Sequence, residues 1–361
     1  MTPAEMTPAE MTPAEMTPAE MTLAAVTPAA AAPPRRLVFA GEALVDVLMR
    51  VPGLPPRGGD ILATSSEIAV GGGFNVMAAA ARQGLPVLYA GGHGTGPWGE
   101  LVRAALTAEG IGLLRPPDPS RDTGFDVALV ESDAERTFVT SLGAESITAP
   151  GSWDAVPAGP GDAVYVSGYG LVPPGSGAVL GAWAAALPRG ALLFLDLGPL
   201  AAQIAGAVLD PVLARCDWLS CNAREAALLS GAAAPEEAAR RLLARTARAG
   251  VIVRVGPDGC LLALRPRAGQ EPPSSLPDRP PALAHIPAPA VTAVDTTGAG
   301  DAHSGVFLAA LADGLSPADA ARRGNAAAAL AVTRPGPATS PARAELDAWL
   351  TRAWRLAKRN G

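Results

Sequence analysis

The sequence predicts an α/β fold: a central, mostly parallel sheet with helices on both faces, and a small separate β-sheet serving as a lid. Three observations predict it. Short continuous apolar runs alternate with Ala/Leu-rich helical stretches, the pattern of parallel strands buried on both faces. Hydrophobic residues make up 49% of the 361-residue chain and charged ones 17%, enough apolar material for one large core. Two segments, 44–70 and 122–142, break the rhythm and mix polar with apolar residues at strand period.

Taken in order, residues 1–20 are four copies of Met-Thr-Pro-Ala-Glu, and Ala/Pro-rich sequence continues to about Pro34. A proline every fifth residue with almost no large apolar side chains forms no packed element. Residues 1–35 therefore read as a disordered low-complexity tail before a domain at 36–354. Apolar strands are expected at 37–41, 87–91, 163–167, 191–196, 217–221 and 250–255. Between them, helices are expected at 75–84, 98–110, 176–187, 199–215, 223–230 and 235–249. Residues 125–131 and 136–141 read as a hairpin around Ser132-Asp133-Ala134-Glu135. With 44–50 and 61–70 they would form the lid sheet. Residues 112–122 read as a Pro-rich loop and 265–290 as a surface excursion.

Composition removes several functions. The net charge of −6 leaves no basic footprint for a nucleic acid. No apolar run approaches the ~18 residues that span a bilayer, and the N-terminus lacks a secretory pattern. Cys216, Cys221 and Cys260 have no metal-like spacing and read as reduced, buried thiols of a cytoplasmic protein. Among 28 basic residues there is one lysine, Lys358, near the C-terminus. Schiff-base chemistry and a Walker-type phosphate loop both need a lysine that is not there. Three scattered histidines (His93, His285, His303) make a multi-histidine metal site improbable. A phosphate site here must use backbone amides, arginine or a metal ion.

The strongest local signal is Asp295-Thr296-Thr297-Gly298-Ala299-Gly300-Asp301, followed by a helix at about 302–313. The glycines let successive amides converge, and the helix adds the positive end of its dipole, so Gly298, Ala299 and Gly300 make an anion hole without lysine. A carboxylate beside bound phosphate is repulsive unless it accepts the attacking hydroxyl's proton, which points to Asp301 as a general base. An ordinary helix cap in a glycine turn explains the same residues when they are read alone.

This stretch resembles the C-terminal motif of the ribokinase-like, or PfkB, carbohydrate kinases. Gly71-Gly72-Gly73-Phe74-Asn75, followed by Gly84 and Gly94, resembles their N-terminal motif, with Met77 where a small residue is usual. Asn222-Ala223-Arg224-Glu225, Gly256-Pro257-Asp258-Gly259-Cys260, and the run from Asn325 through Arg334, Gly336 and Ser340 resemble three further elements in the same order. The resemblance spans roughly 36–350 and implies a ribokinase-like three-layer α/β/α fold with a small β lid.

It further implies ATP-dependent phosphoryl transfer to a hydroxymethyl group of a small sugar. Asp46, Gly72, Gly73 and Asn75 would hold the sugar; Asn222, Gly256, Gly259 and Asn325 would lie along ATP. Asn222 and Glu225 would organise Mg²⁺ through water, since that ion keeps much of its hydration shell, although a helix-capping pair reads identically. Similarity to ribokinases implies a K⁺-type monovalent-cation site among Asp295, Thr297, Arg334, Gly336 and Ser340. Exposed lid strands would favour a homodimer.

The acceptor stays open. Gly41-Glu42-Ala43-Leu44-Val45-Asp46 looks like fructokinases and ketodeoxygluconate kinases, whereas the C-terminal third looks like ribokinases. Gly94-Thr-Gly96-Pro-Trp-Gly99 stands where the family commonly carries an acid. An aromatic content of 4% disfavours a nucleoside acceptor. That Gly94–Gly99 stretch also matches the dinucleotide fingerprint, but it follows the second strand of the core and no ribose-binding acid ends the next, so a dehydrogenase is disfavoured. A silent sugar-binding protein of the same fold is the non-kinase alternative.

Overall fold

The computed structural model describes residues 33–132, 136–246, 250–265 and 282–360, with side chains to 352. The strands are β1 (Arg36–Ala40), β2 (Ala43–Arg50), β3 (Ser65–Gly72), β4 (Val87–Tyr89), β5 (Gly112–Leu113), β6 (Phe125–Val130), β7 (Arg136–Ser141), β8 (Asp162–Ser167), β9 (Leu192–Asp196), β10 (Trp218–Asn222), β11 (Gly250–Arg254), β12 (Cys260–Leu264) and β13 (Ala282–Ile286). The helices are α1 (Phe74–Arg82), α2 (Pro97–Ala108), α3 (Gly168–Leu171), α4 (Ser176–Ala186), α5 (Gly206–Arg215), α6 (Ala223–Ser230), α7 (Pro235–Arg245), α8 (Ala299–Ala312), α9 (Pro317–Ala331) and α10 (Arg343–Asn360).

Nine strands form the main sheet in the order β13-β12-β11-β10-β9-β8-β1-β4-β5. It is parallel from β5 to β11, and β12 and β13 add antiparallel at one edge. Its strands are apolar on both faces because both are covered. Leu37, Phe39, Tyr165 and Phe194 pack against α1, α8 and α9. Their neighbours Val38, Ala40, Val164 and Leu193 face α4, α5 and α7. The three-layer expectation holds. The small sheet runs β3-β2-β6-β7, with β2 antiparallel to β3 and parallel to β6.

Several expectations need correction. Residues 112–122 are not wholly loop, since Gly112 and Leu113 pair with β4 as a two-residue strand. Gly259, at φ 99°, reverses the chain so that β12 returns along β11, and residues 282–286, expected within a surface excursion, close the sheet edge as β13. The helix expected at 199–215 divides into a 3₁₀ turn, Ala201–Gln203, and α5. Met77 is fully buried in the core. The expected tail over residues 1–32, most of the hairpin turn and the centre of the Pro-rich stretch lie outside the described residues. Among the described residues, no helix is long and apolar enough to cross a membrane.

Candidate active site

The carboxyl ends of β9, β10 and β11 converge beneath the start of α8, the position where open α/β sheets bind ligands. Gly298 sits in the left-handed region (φ 71°) as the residue before α8, a conformation that a side chain would strain. The turn is braced by Asp295, whose Oδ1 accepts from the Thr297 amide (2.8 Å) and whose Oδ2 accepts from the Gly336 amide (3.2 Å). Arg136, from the small sheet, ion-pairs with the same carboxylate and donates to Thr296 Oγ1 (3.2 Å). Burial would raise the Asp295 pKa, but these bonds and the Arg136 charge hold it below the usual range.

Asp301 lies in the first turn of α8, and Asn75 Nδ2 donates to its Oδ2 at 3.1 Å. Burial pushes this carboxyl up to about 6; the Asn75 bond opposes the shift, Asp196 adds to it and Arg254 opposes it. Arg254 is the missing positive charge. Its guanidinium binds Asp196 (2.8 Å), Ser220 Oγ and Ser304 Oγ (3.3 Å). A Cβ on Gly300 would lie 3.2 Å from it. An anion at the turn would therefore meet converging amides, a helix dipole and a part-buried guanidinium.

On the other side of Asp301 stand more carboxylates. Asp46 is buried, and burial, with smaller contributions from Asp126 and Asp301, pushes it up to about 8. Asp126 is pushed up to about 6 by burial. Glu42 accepts from Ser167 Oγ (2.9 Å) but is raised to about 7 by burial. The Gly73 amide donates to the Glu42 carbonyl (2.9 Å), and Gly72 pairs with Ala43, so β2, β3 and the start of α1 are drawn together beside Asp46.

Among the other expected residues, most polar atoms are already engaged. Asn222 and Glu225 form a reciprocal cap: Glu225 accepts from the Asn222 amide (2.8 Å) and Nδ2 (2.7 Å), and Asn222 Oδ1 accepts from the Glu225 amide (2.9 Å). Burial, then Asp196, raises the Glu225 pKa. Gly256 and Gly259 flank a 3₁₀ turn at the end of β11. Asn325 donates to the carbonyls of Ile286 (2.8 Å) and Pro287 (3.3 Å), fixing the chain beside Gly259. Arg334 ion-pairs with Glu345. Thr297 Oγ1 and Ser340 Oγ are buried hydroxyls without partners among the described residues.

Sequence reasoning missed Asp126, Asp196 and Arg254, isolated polar residues in strands with no motif around them. It also missed the acid for the Gly94–Gly99 loop: Asp122 reaches in and accepts from the Trp98 (3.0 Å) and Gly99 (2.9 Å) amides at the start of α2.

A small sheet standing over a glycine turn at the strand ends of a three-layer α/β/α core defines a ribokinase-like architecture. The chain belongs to the pfkB family of carbohydrate kinases, whose match runs over residues 34–344. It is 32% identical over 319 residues to an uncharacterized sugar kinase, YegV, of Escherichia coli (strain K12), covering 86% of this chain and 92% of that protein. A ribokinase of Arabidopsis thaliana is 28% identical over 312 residues, 82% of this chain and 76% of that protein. The solved ribokinase of Thermotoga maritima superposes with a TM-score of 0.71 at 24% identity, over 88% of this chain and 99% of that one.

Proposed function

We propose that this carbohydrate kinase transfers the γ-phosphoryl group of ATP to a hydroxymethyl oxygen of a small sugar, with Asp301 as the general base. The observation that carries the reading is the juxtaposition at the start of α8. Asp301 is part-buried, oriented by Asn75 and raised to about 6, beside a glycine turn backed by Arg254. A base of that strength is ionised at neutral pH yet basic enough to accept the proton as the hydroxyl attacks. The amides of residues 298–301 and the Arg254 charge would stabilise the transferring group. Asp46, Gly72, Gly73 and Asn75 would hold the sugar, and Gly256, Gly259 and the Asn325-anchored chain would flank the nucleotide. Closure of the small sheet would exclude water and limit ATP hydrolysis.

Both Glu225 oxygens already accept from Asn222, so this pair fits a Mg²⁺ ion held through its water shell. Such an ion would supply charge compensation on the ATP phosphates. The Thr297 hydroxyl beside Asp295, together with the buried Ser340 hydroxyl further along the chain, would offer oxygens to a monovalent cation. The reading includes a homodimer through the small sheet. Its test is ADP release with Mg-ATP and K⁺ across ribose, fructose, tagatose, ketodeoxygluconate, fructose phosphates, adenosine and inosine. Turnover of one acceptor that Asp301→Asn abolishes supports the reading; ATP binding without turnover of any of them contradicts it.

A further inference from the structure

The small sheet carries a polar row where an apolar one is the stable choice. Asp46 on β2 pairs with Asp126 on β6, and Asp126 with Thr140 on β7. Paired residues share a face with their Cβ atoms about 5 Å apart, so the two carboxyl groups project side by side. Along β6 the buried positions are Asp126, Ala128 and Val130, so Asp126 occupies the inward register. It is 9% exposed, and its Oδ1 is buried with no hydrogen-bond partner among the described residues.

Such a group stabilises nothing in the free fold. A buried acceptor without a donor is costly, and a like charge beside it adds to the cost. Asn75 repeats the pattern: it is 5% exposed, its Nδ2 serves Asp301, and its Oδ1 has no partner among the described residues. Glu42 Oε2 is a third unmatched oxygen. Asp126 Oδ1, Asn75 Oδ1 and Glu42 Oε2 are thus three bare acceptor oxygens, while at the turn Arg136 Nε and the His303 ring nitrogens are also without partners among the described residues. The two arginines at the turn, Arg136 and Arg254, are already paired with Asp295 and Asp196.

We propose that Asp126 is a specificity-determining residue, which with Asp46 selects a sugar presenting hydrogen-bond donors, hydroxyl or protonated amine, and turns away acceptors carrying a carboxylate or phosphate. The inference rests on the sugar-kinase reading of this site. Selection here is a difference of affinities made partly by repulsion: an anion meets the Asp126 carboxylate beside a second acid, Asp46, with the arginines of the turn already ion-paired, whereas a donor-rich sugar satisfies oxygens the fold leaves bare.

The experiment measures binding by calorimetry, with Mg-ADP present, of ribose, fructose, 1-amino-1-deoxyfructose, 2-keto-3-deoxygluconate and fructose 1-phosphate. The proteins are the full chain and its Asp126→Asn, Asp126→Ala and Asp126→Glu variants, each checked for folding by circular dichroism. The expected result is that a neutral or aminated sugar binds wild type at least ~10-fold more tightly than either acid. Asp126→Asn and Asp126→Ala should shrink that ratio by ~10-fold or more while Asp126→Glu keeps its sign. An acid that binds wild type best, an unchanged ratio in folded Asp126→Asn, or a panel in which no neutral or aminated sugar binds would overturn the proposal. Selective binding without ADP release in the parallel assay would count against the kinase reading and leave the role of Asp126 supported.

Discussion

At the scale of single residues, charge is placed where lysine is absent. Arg254 sits on the terminal residue of β11, tied to Asp196 and Ser220 on the two preceding strands. A part-buried guanidinium held this way is fixed in place, and truncating it would strand Asp196. Arg136 has a comparable place against Asp295. That ion pair delivers positive charge to the carboxylate that a monovalent cation would also approach. Wild-type rates are therefore expected to vary less than ~3-fold among K⁺, Na⁺ and Cs⁺ salts, and Arg136→Gln to increase the dependence on K⁺. A steady-state comparison checks this, and equal rates for the variant in all three salts would remove the cation site. Asp301 and Asn75 were legible because motifs surround them. Asp126 was not, because one acid in Phe-Asp-Val-Ala-Leu-Val reads as a solvent-facing strand position. Only the register with Asp46 shows that it points inward.

At the scale of elements, the small sheet has two unlike faces. Asp46 and Asp126 lie on one. The other carries the row Ile68, Val47, Val127 and Val139, whose outer members are 55% and 65% exposed. Exposed β-branched residues at both sheet edges are a liability that association would cover. Sedimentation is expected to show a dimer that Ile68→Lys with Val139→Lys converts to monomer; a wild-type monomer at micromolar concentration would contradict the proposed pairing. Continuous apolar runs made β1, β8, β9, β10 and β11 readable to within about a residue, and Asn222–Glu225 made the start of α6 readable. β5 was hidden because two residues carry no period. β12 and β13 were hidden because their antiparallel pairing depends on the reversal at Gly259, next to a Pro-rich stretch.

At the scale of the whole molecule, the site concentrates carboxyl groups whose native pKa values lie above their ordinary ones: Glu42 at about 7, Asp46 at about 8, and Asp126 and Asp301 at about 6. Raised carboxyls bind more protons in the native than in the unfolded state, so their effect on stability worsens as pH rises from about 4 through these values. The ligand-free protein is expected to melt at a higher temperature at pH 6 than at pH 8.5, with Asp126→Asn narrowing the difference. Calorimetry at the two pH values checks this; a higher melting temperature at pH 8.5 would contradict it. The fold was legible because strand and helix periods are properties of contiguous sequence. The crowding of four acids was not, since it arises only when β2, β6 and α8 meet.

On the proposed mechanism, Asp301 takes the proton from the attacking hydroxyl. The most direct measurement is the pH dependence of kcat/KM for ADP release, in wild type and Asp301→Asn, with an acceptor that the enzyme turns over. The wild-type profile is expected to show a limb that falls as pH drops through about 6, and the variant to be at least ~10²-fold slower and to lack that limb. Wild-type-like turnover by Asp301→Asn, with the limb intact, would contradict it.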